Sequence, residues 1–123
     1  MTVLNEEARD LFAGPNIAHI ATLLPDGGPH SVPVMIDLEG EYLAFFTSPH
    51  SRKGRNLQAD DRIAVSVTDR ENLVRGALVR GRVVQRVGGD AGWEIAIASS
   101  PSTPAAHTLG ARTARPSSWN RRT

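Results

Sequence analysis

The sequence predicts a mainly β domain, an antiparallel barrel or sandwich with short flanking helices. Three observations predict it. Apolar residues recur with period two in several short runs, as in Val32, Val34 and Ile36, or Ile63, Val65 and Val67. Turn-forming clusters such as Pro25-Asp26-Gly27-Gly28 and Leu38-Glu39-Gly40-Glu41 separate these runs at hairpin spacing. The stretches that read as helix are short.

The elements follow in order. Asn5 is placed to cap a helix whose first turn holds Glu6 and Glu7, where negative charge is favoured. Leu4, Ala8, Leu11 and Phe12 lie at helical spacing, and Gly14-Pro15 ends the helix. Ile17 to Leu24 has so little polar content that it reads as a strand buried on both faces. Pro29 to Leu38 is a second strand, with an edge or bulge at Pro33, which has no N–H to donate. Tyr42 to Thr47 is a third strand, Ser51 to Ala59 a short helix, and Ile63 to Thr68 a fourth strand. Leu73 to Val87 is a long fifth strand in which Gly76 and Gly81 mark bulges or a bend. Ala91 to Ala98 reads as a short helix, with Trp93 on its core face. Residues from Ser99 to Thr123 are rich in Ser, Pro, Thr, Ala and Arg without periodicity, so residues 1–98 form the domain and 99–123 a loosely attached tail.

Composition limits the function. A chain of 123 residues, 40% hydrophobic and 22% charged, suggests one soluble globular domain. There is no apolar run of membrane-spanning length. The N-terminal segment lacks the basic and apolar regions of a secretory signal, which argues for the cytoplasm. Cysteine is absent, so disulfides, thiolate nucleophiles and Cys-based metal sites are excluded. The four histidines show no metal-binding spacing, and no metal is expected. The net charge of +1 includes four arginines and no acid from Ser99 onward, leaving −3 for the first 98 residues. Such an acidic body argues against nucleic acid as a partner.

One segment breaks local rules. Arg52 and Lys53 fall in the first turn of the second predicted helix, where the helix dipole disfavours cations, and Arg55 adds a third. Gly54 in the same turn costs about 1 kcal/mol relative to Ala. Free N–H groups and three cations together invite an anion, typically phosphate, and Gly54 would let it approach the backbone. A solvated basic helix has the same charges. The neighbours favour the anion: Thr47 and Ser48 place hydroxyls at the strand end, and Ser51 offers both a cap and a hydroxyl.

The run Phe45-Phe46-Thr47-Ser48-x-x-Ser51-Arg52-Lys53-Gly54 resembles the phosphate-binding motif of the pyridoxamine 5′-phosphate oxidase superfamily. So do Ile17-Ala18-His19-Ile20-Ala21-Thr22-Leu23, Pro25-Asp26-Gly27, Pro29-His30-x-Val32-Pro33-Val34, Asn56-Leu57 and Arg80-Gly81-Arg82-Val83-Val84. With Asp61-Arg62-Ile63-Ala64-Val65-Ser66-Val67 these are similar to its actinobacterial branch of probable deazaflavin-dependent oxidoreductases. The resemblance implies a split β-barrel, the FMN-binding split barrel. It also implies a homodimer with the cofactor at the subunit interface, and hydride transfer with a small organic substrate. It covers roughly Glu6 to Val87; the family's longer helix and closing strand are not legible in Gly88 to Thr123.

On this resemblance the cofactor contacts are Arg52 and Lys53 on the phosphate, with Thr47, Ser48 and Ser51 as hydroxyl donors and Asn56 near phosphate or ring. Val32, Pro33 and Val34 form a wall beside the ring. In the FMN-using oxidases the position of Ser31 carries an arginine that grips the FMN phosphate. Its loss here points to coenzyme F-420, whose phosphate diester carries a single charge, with FMN as the alternative. A non-catalytic flavin-binding protein on the same barrel is the alternative from another class. No residue is singled out as catalytic acid or base.

Overall fold

A computed structural model describes residues 4–89 and 92–100 of the chain. The elements are α1 (Glu6–Ala13), β1 (Ile17–Leu23), β2 (Pro29–Met35), β3 (Asp37–Glu39) and β4 (Tyr42–Thr47). They continue with α2 (Arg52–Ala59), β5 (Arg62–Asp69), β6 (Asn72–Gly89) and β7 (Gly92–Ser99). All strands belong to one sheet of seven, in the order β2-β1-β5-β6-β7-β4-β3, and every neighbouring pair is antiparallel.

The order carries a geometric constraint. β2 and β3 lie at opposite edges of the sheet, yet only Ile36 separates them in the chain. The sheet must therefore curl until its edges meet, which makes it a split barrel. Val32, Val34 and buried Ile36 keep one phase through the crossing, so a single strand was expected from Pro29 to Leu38. The sheet divides that strand between its two edges. Pro33 sits on the edge strand β2, where its missing N–H removes no interior ladder bond.

The core lies inside the curl. Ala18, Ile20, Leu43, Phe45, Val65, Val79, Ile95 and Ile97 point into it. Leu11 and Phe12 of α1 and Leu57 of α2 complete it from the two helices. α1 begins as expected, with the Asn5 side chain accepting the Ala8 N–H at 2.8 Å. The turns at Gly27 and Gly40 have φ of 88° and 63°, a region open to glycine at little cost. Among the described residues, no helix is long and apolar enough to cross a membrane.

Further expectations need correction. β1 is buried on one face only: Ala18, Ile20 and Thr22 point inward, while Ile17 and His19 are exposed. Its uniform apolarity does not reflect a second layer within the chain. The helix expected from Ala91 to Ala98 is the strand β7, paired with both β6 and β4; Ala91 itself lies outside the described residues. Ile95 and Ile97 alternate inward with Glu94 and Ala96 outward, and two open strand edges outweigh the helix propensity of Ala and Glu. β7 also fills the position of the closing strand that was not legible in the sequence. It carries the body past residue 98, since Ser99 pairs with Gly81 and the Ser100 N–H reaches the Arg80 carbonyl at 2.8 Å. The rest of the expected tail lies outside the described residues.

Gly81 is not a bulge. It pairs regularly with Ile63 and Ser99, and a Cβ there would stand 2.1 Å from the Ala98 carbonyl oxygen. The glycine admits a close approach of β7. The register shifts of β6 fall instead beside Gly76 and at Val84.

Candidate functional site

β4 delivers Thr47 and Ser48 to the point where α2 begins. A hydroxyl hub closes this strand-to-helix turn. Ser51 Oγ accepts the Gly54 N–H at 3.0 Å, capping α2, and donates to the Ser48 carbonyl at 2.8 Å. With that proton committed, the Thr47 hydroxyl is the donor in its 3.0 Å contact with Ser51 Oγ. Ser48 Oγ accepts the His50 N–H at 3.0 Å, and its own proton has no acceptor among the described residues. Thr47 and Ser51 thus spend their donors on the turn, and Ser48 keeps one to offer.

Gly54 has a different role from the one expected. A Cβ there would lie 2.2 Å from the Ser48 carbonyl oxygen and 3.1 Å from Pro49 Cα. The space beside it is taken by residues 48 and 49, so the glycine serves the packing of this turn rather than the approach of an anion.

The charges stand around that turn. Arg52 and Lys53 are half-buried and Arg55 is exposed, and the first turn of α2 holds no acid. Arg52 Nε donates to Asn56 Oδ1 at 3.0 Å, and the two terminal nitrogens of the guanidinium have no hydrogen-bond partner among the described residues. Asn56 is 1% exposed, and its Nδ2 donates to Thr22 Oγ1 on β1 at 2.9 Å. One buried amide therefore fixes a guanidinium to the barrel. Lys53 and Arg55 have no ion-pair partner among the described residues.

The acids just beyond α2 do not neutralise these cations. Asp60 pairs with Arg62 at 2.7 Å and Asp61 with Arg82 at 2.5 Å. The hydrogen bond from Arg62 lowers the Asp60 carboxyl to about 2, so it stays ionised and engaged at neutral pH. The amides of Arg52 and Lys53, in the first turn, have no acceptor among the described residues.

β2 joins this region through β1. Thr22 stands opposite His30 in register, and Ser31 is the next residue of β2. Ser31 and Pro33 face outward and are exposed, while Val32 and Val34 are half-buried against the core. Any wall that β2 offers a ligand is therefore made by its backbone, Ser31 and Pro33 more than by the two valines. Sequence reasoning missed Thr22, a polar residue in the inward phase of Ala18 and Ile20, and that phase was the available signal. His30 also lies beside this junction, its Nδ1 buried without a hydrogen-bond partner among the described residues.

Two cavities lie away from the start of α2, and none of residues 47–56 lines either. One of about 580 Å³ touches the junction only through Thr22. The other, about 1190 Å³, is a wide cleft between the β1–β2 edge and β4. Exposed Ile17, Met35, Phe46 and Val87 line it, as does Glu94. A hydrogen bond with Glu94 pushes the Glu39 carboxyl up from its ordinary value.

A split barrel with a capped, basic strand-to-helix turn is the frame of the flavin-binding split-barrel proteins. The chain belongs to the pyridoxamine 5′-phosphate oxidase family, which it matches over residues 4–114. It is similar to a solved F420 reductase, with 26% identity and a TM-score of 0.72 over 79% of this chain and 96% of that one. A putative pyridoxamine 5′-phosphate oxidase from Lactobacillus delbrueckii superposes with a TM-score of 0.68 at 16% identity, covering 79% of this chain and 90% of that one. A heme binding protein from Mycobacterium smegmatis shares the fold at 22% identity and a TM-score of 0.62, covering 77% of this chain and 50% of the other. No curated protein matches the sequence.

Removing the buried amide tests the junction. Asn56→Ala leaves the Thr22 hydroxyl and Arg52 without their shared partner and is expected to cost about 1–3 kcal/mol. Urea unfolding measures it; an unchanged midpoint would show that the contact contributes nothing.

Proposed function

We propose that the chain is a deazaflavin-dependent oxidoreductase that binds coenzyme F-420 with its phosphate at the start of α2. The observation that carries this reading is the Arg52–Asn56–Thr22 chain, which fixes a guanidinium with two unused terminal nitrogens near Lys53, itself without an ion-pair partner among the described residues. In this reading Arg52 and Lys53 pair with the phosphate, the amides of the first turn and the Ser48 hydroxyl donate to it, and Thr47 and Ser51 hold the turn in shape. Ser31 and the backbone of Val32, Pro33 and Val34 border the ring. The bound deazaflavin supplies hydride transfer to or from a small organic substrate. The protein's part is orientation and charge.

The charge count favours F-420 over FMN. Ser31 offers one neutral hydrogen bond where the FMN oxidases resembled by this sequence carry an arginine. Losing a charge-assisted contact costs a dianionic monoester about 1.5–3 kcal/mol. A singly charged diester needs fewer cations, and Arg52, Lys53 and the helix start suffice for it. The 26% identity to an F420 reductase, over nearly all of that chain, points the same way. Arg55, exposed and without an ion-pair partner among the described residues, favours the FMN reading, because its side chain can supply the missing charge.

The reading includes a homodimer with the cofactor at the subunit interface. Met35 and Phe46, 80% and 68% exposed, leave apolar surface for a partner to cover. Sedimentation at micromolar concentration is expected to give a dimer; monomer alone contradicts it.

Fluorescence titration of the apoprotein with both cofactors tests the assignment. F-420 is expected to bind more tightly than FMN. Lys53→Ala should weaken F-420 by about 1.5–3 kcal/mol, and Arg70→Ala should leave it unchanged. FMN binding tenfold tighter than F-420 would move the chain to the flavin branch.

A further inference from the structure

The 580 Å³ cavity lies on the outer face of the sheet, away from the start of α2. Its floor follows from the register. Ser31, Ala21, Ala64 and Arg80 stand in one row across β2, β1, β5 and β6. Ala21 and Ala64 line the cavity, and Gly81 and Ala98 extend it towards β7. Side chains this small leave a low shelf on which a flat molecule can lie.

Three guanidinium side chains border the shelf. Arg62 and Arg82 are directly opposite each other on β5 and β6, a like-charge pairing that destabilises a sheet unless compensated. Asp60 and Asp61 provide the compensation, each with its own hydrogen-bonded partner. Arg80, also on the rim, is exposed and has no acidic partner among the described residues. The cavity therefore combines an apolar shelf with one uncompensated cation.

We propose that this cavity binds a flat organic monocarboxylate, with its ring on the Ala21, Ala64, Gly81 and Ala98 shelf and its carboxylate on Arg80. The volume falls within the range of small-molecule sites, roughly 300–1,000 Å³. A guanidinium fork matches a carboxylate in two parallel hydrogen bonds. The neighbouring Asp60 and Asp61 carboxylates disfavour a ligand with several negative charges, so one charge is the best match.

Other occupants fit less well. Residues 101–123 carry four arginines and no acid, so they would bring like charge to a basic rim. A second copy centred here on a twofold axis would set guanidinium against guanidinium. The proposal does not rest on the cofactor reading, since none of residues 47–56 lines this cavity.

The test is titration of the full chain with 2-naphthoate and with its neutral counterpart 2-naphthalenemethanol, followed by backbone amide NMR shifts. Naphthoate is expected to bind at least about tenfold more tightly, as a hydrogen-bonded charge pair gives. The shifts should centre on Ala21, Ala64, Gly81 and Ala98. Arg80→Gln, an exposed position whose folding circular dichroism verifies, should bring the two ligands to equal affinity, and Arg80→Lys should keep most of the difference. The proposal is overturned by equal affinities in the unaltered chain, by shifts centred on residues 51–56, or by an unchanged preference in Arg80→Gln. Concentration-dependent shifts at the shelf without ligand would overturn it too, by assigning the face to a second copy.

Discussion

Met35 ends one edge strand of the sheet and Asp37 begins the other, so a single residue, Ile36, spans the two edges. A flat sheet of seven strands is some six interstrand spacings wide, about 29 Å at 4.8 Å each. The two steps from Met35 to Asp37 reach only about 7 Å. The sheet has no choice but to curl, and the curl sets the rest. It gives the apolar phases of all the strands one interior. It leaves α1 to pack against β3, β5 and β6, and α2 against β1. Burial of Ile36 in that interior holds the crossing in place.

The site depends on this frame through one amide. A helix whose first turn carries cations is unfavourable by itself, because the dipole and the charges have the same sign there. Here the cost is borne by tertiary contacts. Leu57 is fully buried, Asn56 is tied to Thr22, and the Ser51 hydroxyl holds Ser48 and Gly54 together. The cations have no acidic partner among the described residues, because the nearby acids are committed to Arg62 and Arg82. The inward side chains of the segment anchor it, while Arg52 and Lys53 stay half-buried at its start.

Much of this was legible in the sequence, and what was not has identifiable causes. The Asn5 cap, the turns at Gly27 and Gly40, the strand at Tyr42–Thr47 and the basic helix start are local signals, and local physics decides them. β7 was misread because its residues suit a helix, and only the open edges of β6 and β4 make it a strand. The division of β2 from β3 leaves no trace in the alternation, which runs through Ile36 unbroken. Gly81 and Gly54 were assigned to a bulge and to a ligand, but each makes room for backbone far from view in the sequence: Ala98 for one, Ser48 for the other. The Asn56–Thr22 bond joins residues 34 positions apart, and nothing local announces it.

The central claim is that an anion belonging to the cofactor sits on the first turn of α2. The most direct measurement is the backbone amide spectrum of the apoprotein as F-420 is added. The account predicts the largest downfield shifts at the Arg52 and Lys53 N–H groups, which gain a charged acceptor they lack in the free chain. Saturating binding that leaves those two amides unmoved, with the main shifts elsewhere on the barrel, would contradict it.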